Sequence, residues 1–176
     1  VVHNPHMQFS SILTSFALLG ALTMSPITST FAQGRDNTRA DETILDMAQA
    51  YKQRDRKRLG TLLPQVRSYV LEPWGAYWEL SARLDEASTS EIQEFFNRYS
   101  GSYQEDRLRA EWLLQLGKRR DWQAFNREFP KYRMNDDKSV RCYALLAEHL
   151  SSGADVSAEV AQLWLSLKDA DEGCAA

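Results

Sequence analysis

The stretch from Arg107 to Pro130, RLRAEWLLQLGKRRDWQAFNREFP, decides the fold. Leu108, Trp112 and Leu116 recur at i, i+4 and i+8, with Leu113 beside them. Trp122, Phe125 and Phe129 recur at i, i+3 and i+7. Both are one-faced helical patterns. Between them lies LGKRRDW. Gly117 is expected to end the first helix in the left-handed conformation. Asp121 is expected to cap the first N–H groups of the second. Pro130 cannot continue that helix and biases Phe129 away from helical angles. The stretch therefore predicts two antiparallel helices and a tight turn, with the aromatics as packing groups.

The same period runs outward in both directions. Ile44, Met47, Ala48 and Tyr51 make a first face, and Leu59, Leu62, Leu63 and Val66 a second, interrupted by Pro64. A third helix can begin at Pro73, since proline is tolerated in a first turn. Ser88 and Glu91 stand in capping-box spacing before the stripe Ile92, Phe95, Phe96, Tyr99. Val140, Tyr143, Ala144 and Ala147 mark a seventh helix. Val160, Leu163, Trp164 and Leu167 mark an eighth, with Ser157 as its cap. No segment alternates with period two, so the fold class is all-α. The stripes of the fourth, sixth and eighth helices recur at intervals of roughly 30–40 residues, the range of helix-hairpin repeats. The expected architecture is an α-superhelix, a solenoid of antiparallel hairpins. One hairpin cannot bury its face alone. The large apolar groups then fill seams between hairpins, and charges such as Glu111 cover the outer faces.

The chain has 176 residues, 21 of them basic and 24 acidic. That modest acidic balance points away from nucleic acid, which meets concentrated basic patches. The densest basic run, Lys52 to Arg58 (KQRDRKR), fits the solvated end of a helix or contact with an anionic polymer; such runs are usually solvated. No Lys, Arg, Asp or Glu occurs from Val1 to Ala32. Within that span Ile12–Met24 is an apolar run too short to cross a bilayer comfortably. Thr30, Phe31 and Ala32 follow, with small residues where a signal peptidase reads. Residues 1–32 are thus expected to be a secretory signal peptide cut between Ala32 and Gln33, the alternative being a short N-terminal anchor. The polar segment 33–42 is expected to be a flexible linker, and 43–176 a helical domain with no stable membrane span after processing. Two cysteines, Cys142 and Cys174, lie in that domain. In an oxidising compartment an even pair points to a disulfide, the alternative being two separate thiols with Cys142 in the core. In an antiparallel hairpin, the chain leaving the second helix returns to the start of the first, where Cys142 lies.

Chemistry-bearing patterns are sparse. His149 is the only histidine after Ala32, and a lone histidine supports neither a metal site nor a nucleophile–base pair. No glycine-rich phosphate loop occurs. Trp74, Tyr77 and Trp78 are candidates for a sugar-stacking surface, although helical spacing already accounts for them as core. No catalytic, cofactor-binding or metal-binding residue is assigned, and no cofactor is expected.

Four segments occur in order: YWELSARLDEASTSEIQEFFNRYSGS, DRLRAEWLLQLGKRRDWQAFNREFP, VRCYALLAEHL and AQLWLSLKDADEGCA. The run from about Pro73 to Cys174 resembles the N-terminal superhelical, U-shaped domain of the soluble lytic murein transglycosylases of Gram-negative bacteria. The resemblance implies export to the periplasm and peptidoglycan as the partner of the full-length enzyme. It also implies cysteines at the two points where Cys142 and Cys174 stand. In that family a separate C-terminal lysozyme-like domain cleaves the MurNAc–GlcNAc bond through one glutamate followed by serine, with a Gly-Leu-Met-Gln segment shortly after. Neither motif occurs in these 176 residues. The resemblance therefore implies a superhelical domain incomplete at its C-terminus. A secreted helical-repeat adaptor of the TPR type, binding a protein partner, is the alternative.

Overall fold

The structure is a computed structural model that describes the backbone of residues 29–176 and the side chains of residues 38–176. Among the described residues there are eight α-helices and no strand: α1 (Ser29–Lys52), α2 (Arg56–Leu62), α3 (Glu72–Ala82), α4 (Thr89–Arg98), α5 (Tyr103–Arg119), α6 (Trp122–Glu128), α7 (Lys138–Ser152) and α8 (Ser157–Leu165). Short 3-10 turns, Leu63–Val66 and Phe129–Lys131, extend α2 and α6. Each contains the proline, Pro64 or Pro130, that stops the preceding α-helix. The all-α expectation is met.

The odd-numbered helices touch in succession, α1 with α3, α3 with α5, and α5 with α7. The even-numbered helices fill in beside them. Helix α2 lies against α1 and α3, α6 against α5 and α7, α4 against α5, and α8 against α7. Helix α5 is the centre of this arrangement. Its Leu108, Trp112, Leu113 and Leu116 are buried with Ile92, Phe95 and Phe96 of α4, Phe125 of α6 and Val140 and Tyr143 of α7. A smaller core joins Ile44, Met47 and Ala50 of α1 to Leu59 of α2 and Val66. Leu63 and Trp78 pack against both. Removing a leucine side chain from water is worth roughly 1.5–3 kcal/mol, and this stripe supplies Leu108, Leu113 and Leu116 beside the larger Trp112.

The turn between α5 and α6 has a twin. Asp121 N–H reaches back to the Leu116 carbonyl (3.0 Å) and Arg120 N–H to Gly117 (3.0 Å). Asp55 N–H reaches Ala50 (2.9 Å) and Arg54 N–H reaches Tyr51 (3.0 Å) in the same pattern. Both are the two-bond closure that ends a helix through one left-handed residue. That residue is Arg54 (φ 58°) in one corner and Arg120 (φ 56°) in the other. Each is followed by a capping aspartate: Asp55 accepts from Arg58 N–H (2.9 Å) and Asp121 from Ala124 N–H (3.0 Å). The cap expected of Asp121 is present. The left-handed role expected of Gly117 is not. Gly117 lies inside α5, where an added Cβ would come within 2.5 Å of the Tyr143 ring. Its lack of a side chain lets α7 approach α5.

Other expectations divide similarly. Ser88 and Glu91 form the full capping box, with Ser88 N–H donating to Glu91 (2.9 Å) and Glu91 N–H to Ser88 Oγ (3.3 Å). Pro73 lies in the first turn of α3, behind Glu72. Ser157 does not cap α8. It is the first helical residue, and its hydroxyl donates to Asp155 (2.6 Å). Leu167 falls beyond the end of α8, so the eighth stripe buries only Leu163. The expected signal peptide lies mostly outside the described residues; of its end, the backbone is helical across Ala32–Gln33. The segment 33–42, expected as a flexible linker, is helical within α1 instead. Its polar composition hid an anchored last part. Ala40 is buried, and Thr43 Oγ1 ties back to the Arg39 carbonyl (2.9 Å).

Cys142 of α7 and Cys174, in the segment after α8, form a disulfide with Cα atoms 4.9 Å apart. The returning segment is held at the start of α7 by further contacts. Ser139 donates to Asp171, and Lys138 Nζ donates to the Ser166 carbonyl (2.8 Å).

Candidate functional site: two grooves and a buried ion network

The residues that sequence reasoning offered for binding turn inward. Tyr77 is buried, and Trp74 and Trp78 are partly buried against the core. Trp78 stacks on Tyr51 at 6.2 Å between centroids and meets Trp74 at 5.7 Å. These rings pack on one another and form no open row. His149 Nδ1 donates to the Ala154 carbonyl (2.7 Å), closing the C-terminal turn of α7. Its role is local.

The largest concentration of buried charge was read as solvated helix surface. Glu105, Asp106 and Arg109 of α5 and Glu128 of α6 are all nearly inaccessible. Arg109 bonds both Glu105 and Glu128, and its guanidinium lies 3.9 Å over the Phe96 ring. Glu128 also accepts from Gln93 Nε2 (3.0 Å) and Lys131 Nζ (3.1 Å). Asp106 accepts from the backbone N–H groups of Arg133 (2.9 Å) and Met134 (2.7 Å), pinning the chain between α6 and α7. Every buried side-chain polar atom among the described residues has a partner. A fully satisfied network in low dielectric rigidifies its surroundings. Its one legible sign was the i, i+4 pair Glu105–Arg109.

Glu111, expected on an outer face, instead ties α5 to α3. It accepts from the Tyr77 hydroxyl and from Ser81 Oγ (2.6 Å), and Tyr51 OH completes the chain at 3.2 Å from Ser81. Burial, and then the Glu111 carboxylate, push the Tyr77 phenol well above its ordinary range. Glu72 behaves in the opposite sense. Burial works against its charge, but donation from Ser68 N–H (2.7 Å), Tyr99 OH (2.9 Å) and Arg98 holds its carboxyl below the usual carboxylate range. A depressed carboxyl contributes stability above its unfolded-state range and loses it as pH falls through the folded-state value.

Two open grooves lie beside these networks. One, about 730 Å³, runs along α7 between α6 and α8. Asn126, Asn135, Gln162, Glu148, Glu159 and Arg141 supply polar groups, and Phe129, Leu145 and Leu163 an apolar wall. Amides offer donors and acceptors together, and carboxylates accept; an apolar wall with a few directed polar groups is the usual make-up of a ligand cleft. The other groove, about 650 Å³, lies between the C-terminal ends of α1 and α3 and the side of α5. Among the described residues, no group of three or more His, Cys, Asp and Glu side chains is placed to hold a metal ion. No described helix is long and apolar enough to cross a membrane. These features define an all-α protein of consecutively packed helices with open polar grooves. No protein-family model, curated protein or solved structure matches the chain.

Proposed function

We propose that this chain is a binding scaffold for cell-wall murein: the superhelical part of an exported lytic transglycosylase of the kind its sequence resembles. The observation that carries the reading is the succession α1, α3, α5, α7 with its twinned corner at Arg54–Asp55 and Arg120–Asp121. Repeated junctions of one geometry set hairpins side by side, and stacked hairpins make extended binding surfaces. The groove along α7, rich in amides and carboxylates, suits the hydroxyl and acetamido groups of a glycan strand. Cleavage belongs, in this reading, to a separate lysozyme-like domain, and this chain supplies grip and position. The disulfide fits the oxidising compartment that export implies.

Sedimentation with purified murein sacculi tests the proposal. The full chain is expected to co-sediment and to release no anhydro-muropeptides. Asn126→Ala combined with Gln162→Ala is expected to weaken retention. A chain that stays in the supernatant contradicts the reading. A second reading, a helical-repeat adaptor for a protein partner, is favoured by the apolar patch of Val156, Val160, Trp164 and Leu165 on α8. A chain that leaves sacculi unbound but retains a protein from a periplasmic extract, with that retention lost in Trp164→Ala, selects that alternative.

A further inference from the structure

We propose that the apolar trough on α8 binds an amphipathic helix whose apolar stripe is flanked by Lys or Arg. The proposal names the chemistry of a protein partner and does not rest on the murein reading. The two sides of α8 differ. Glu159, Gln162 and Leu163 line the groove shared with α7. Val156, Val160, Trp164 and Leu165 line a separate trough of about 570 Å³, together with His149 and Asp155. Trp164 and Leu165 are large apolar side chains left exposed. At about 1.5 Å per residue, the stripe from Val156 to Leu165 runs for about 14 Å, which matches two to three turns of a docked helix.

Charge selects the partner. From Glu148 to Leu167 the chain carries Glu148, Asp155 and Glu159 and no Lys or Arg. Among the described residues, none of these three acids is in an ion pair with Lys or Arg. Asp155 accepts instead from the Ser157 hydroxyl (2.6 Å) and N–H (3.1 Å), which hold its carboxyl below the usual carboxylate range. The cations nearby do not cancel this excess. Lys118 pairs with Glu172 at 2.7 Å. Lys138, which donates to the Ser166 carbonyl, and Lys168 are matched in number by Asp169 and Asp171. Arg141 lines the groove on the other side, one turn past the capping Asp137. Unanswered carboxylates beside an apolar stripe attract Lys and Arg on a partner and repel anionic lipid headgroups. They also disfavour a second copy of this chain, because a two-fold contact would set these acids against themselves.

Fluorescence anisotropy of the full chain at pH 8, where an ordinary imidazole is neutral, is the measurement. The probe is a fluorescein-labelled peptide of about fourteen residues, leucine and lysine only, with leucines in helical one-face spacing. The same peptide with glutamate for lysine is the control. The lysine peptide is expected to bind at least about tenfold more tightly than the glutamate peptide. Trp164→Ala is expected to weaken its binding about tenfold or more, as loss of a central aromatic anchor does. Glu148→Gln combined with Glu159→Gln is expected to weaken it roughly fivefold, and Glu42→Gln combined with Glu94→Gln, the same change on α1 and α4, to leave it unchanged. Equal binding of the two peptides overturns the proposal, as does binding that Trp164→Ala leaves intact. Equal weakening by the two double variants also overturns it, reducing the effect to overall charge. Sedimentation velocity that finds a dimer of the wild-type chain and a monomer of Trp164→Ala overturns it too, in favour of a second copy. Sacculus retention depends on Asn126 and Gln162, outside this trough, so the murein reading and this proposal fail separately.

Discussion

Trp112 and Trp164 stand in similar helical stripes and meet opposite fates. Trp112 is 4 % exposed at the centre of α5, with neighbours on every side. Trp164, on α8, is 45 % exposed, and Leu165 beside it is 84 % exposed. Helix α5 packs against α3, α4, α6 and α7, whereas α8 packs chiefly against α7. An apolar stripe is therefore a demand for a neighbour, and the fold meets it in the middle of the row more fully than at α8. Each helix draws its stability from the helices packed beside it.

Substitutions can break or sharpen that contrast. Trp112→Ala should be the most damaging, leaving a cavity that costs roughly 3–5 kcal/mol in thermal or denaturant unfolding. Cys142→Ser should cost about 2–4 kcal/mol by releasing the loop that the disulfide closes. Its effect should concentrate in α7 and α8, which two-dimensional NMR can localise. Gly117→Ala pushes a methyl group into the Tyr143 ring between α5 and α7, and should cost about 1–3 kcal/mol. A neutral result there would show that the α5–α7 seam is loose. Arg120→Gly should raise stability by about 0.5–1 kcal/mol, because the left-handed corner disfavours a side chain. Trp164→Ala should change unfolding by about 0.5 kcal/mol or less. A loss comparable to that of Trp112→Ala would mean that α8 is covered in solution.

Much of the helical order was legible in the sequence, because the 3.6-residue period is strong wherever a helix has one buried face. The stripe of α5 is buried as its spacing required, those of α4 and α6 are buried at Ile92, Phe95, Phe96 and Phe125 and partly buried at Tyr99, Trp122 and Phe129, and the caps at Ser88 and Asp121 are where the residue chemistry placed them. Gly117 was misplaced because glycine serves two purposes, the left-handed turn and the close approach of helices. Only the packed position of Tyr143 distinguishes them. The left-handed residues of the two twinned corners are arginines, whose identity carries no turn signal. The binding features were less legible than the fold. Glu105, Asp106, Arg109 and Glu128 read as surface charge, since burial of an ion pair depends on partners distant in sequence. Glu111 was placed outside for the same reason; its partners Tyr77 and Ser81 belong to another helix, α3. The basic run Lys52–Arg58 was visible as charge, but the concavity it edges exists only once α1, α3 and α5 are side by side.

Native-state hydrogen exchange tests most directly the claim that stability comes from neighbouring helices. Amides exchange through openings whose free energy reports local support. Backbone amides around Leu108–Leu116 in α5 are expected to be the slowest, with protection falling through α7 and lowest in α8. Equal protection of α8 and α5 would contradict the account.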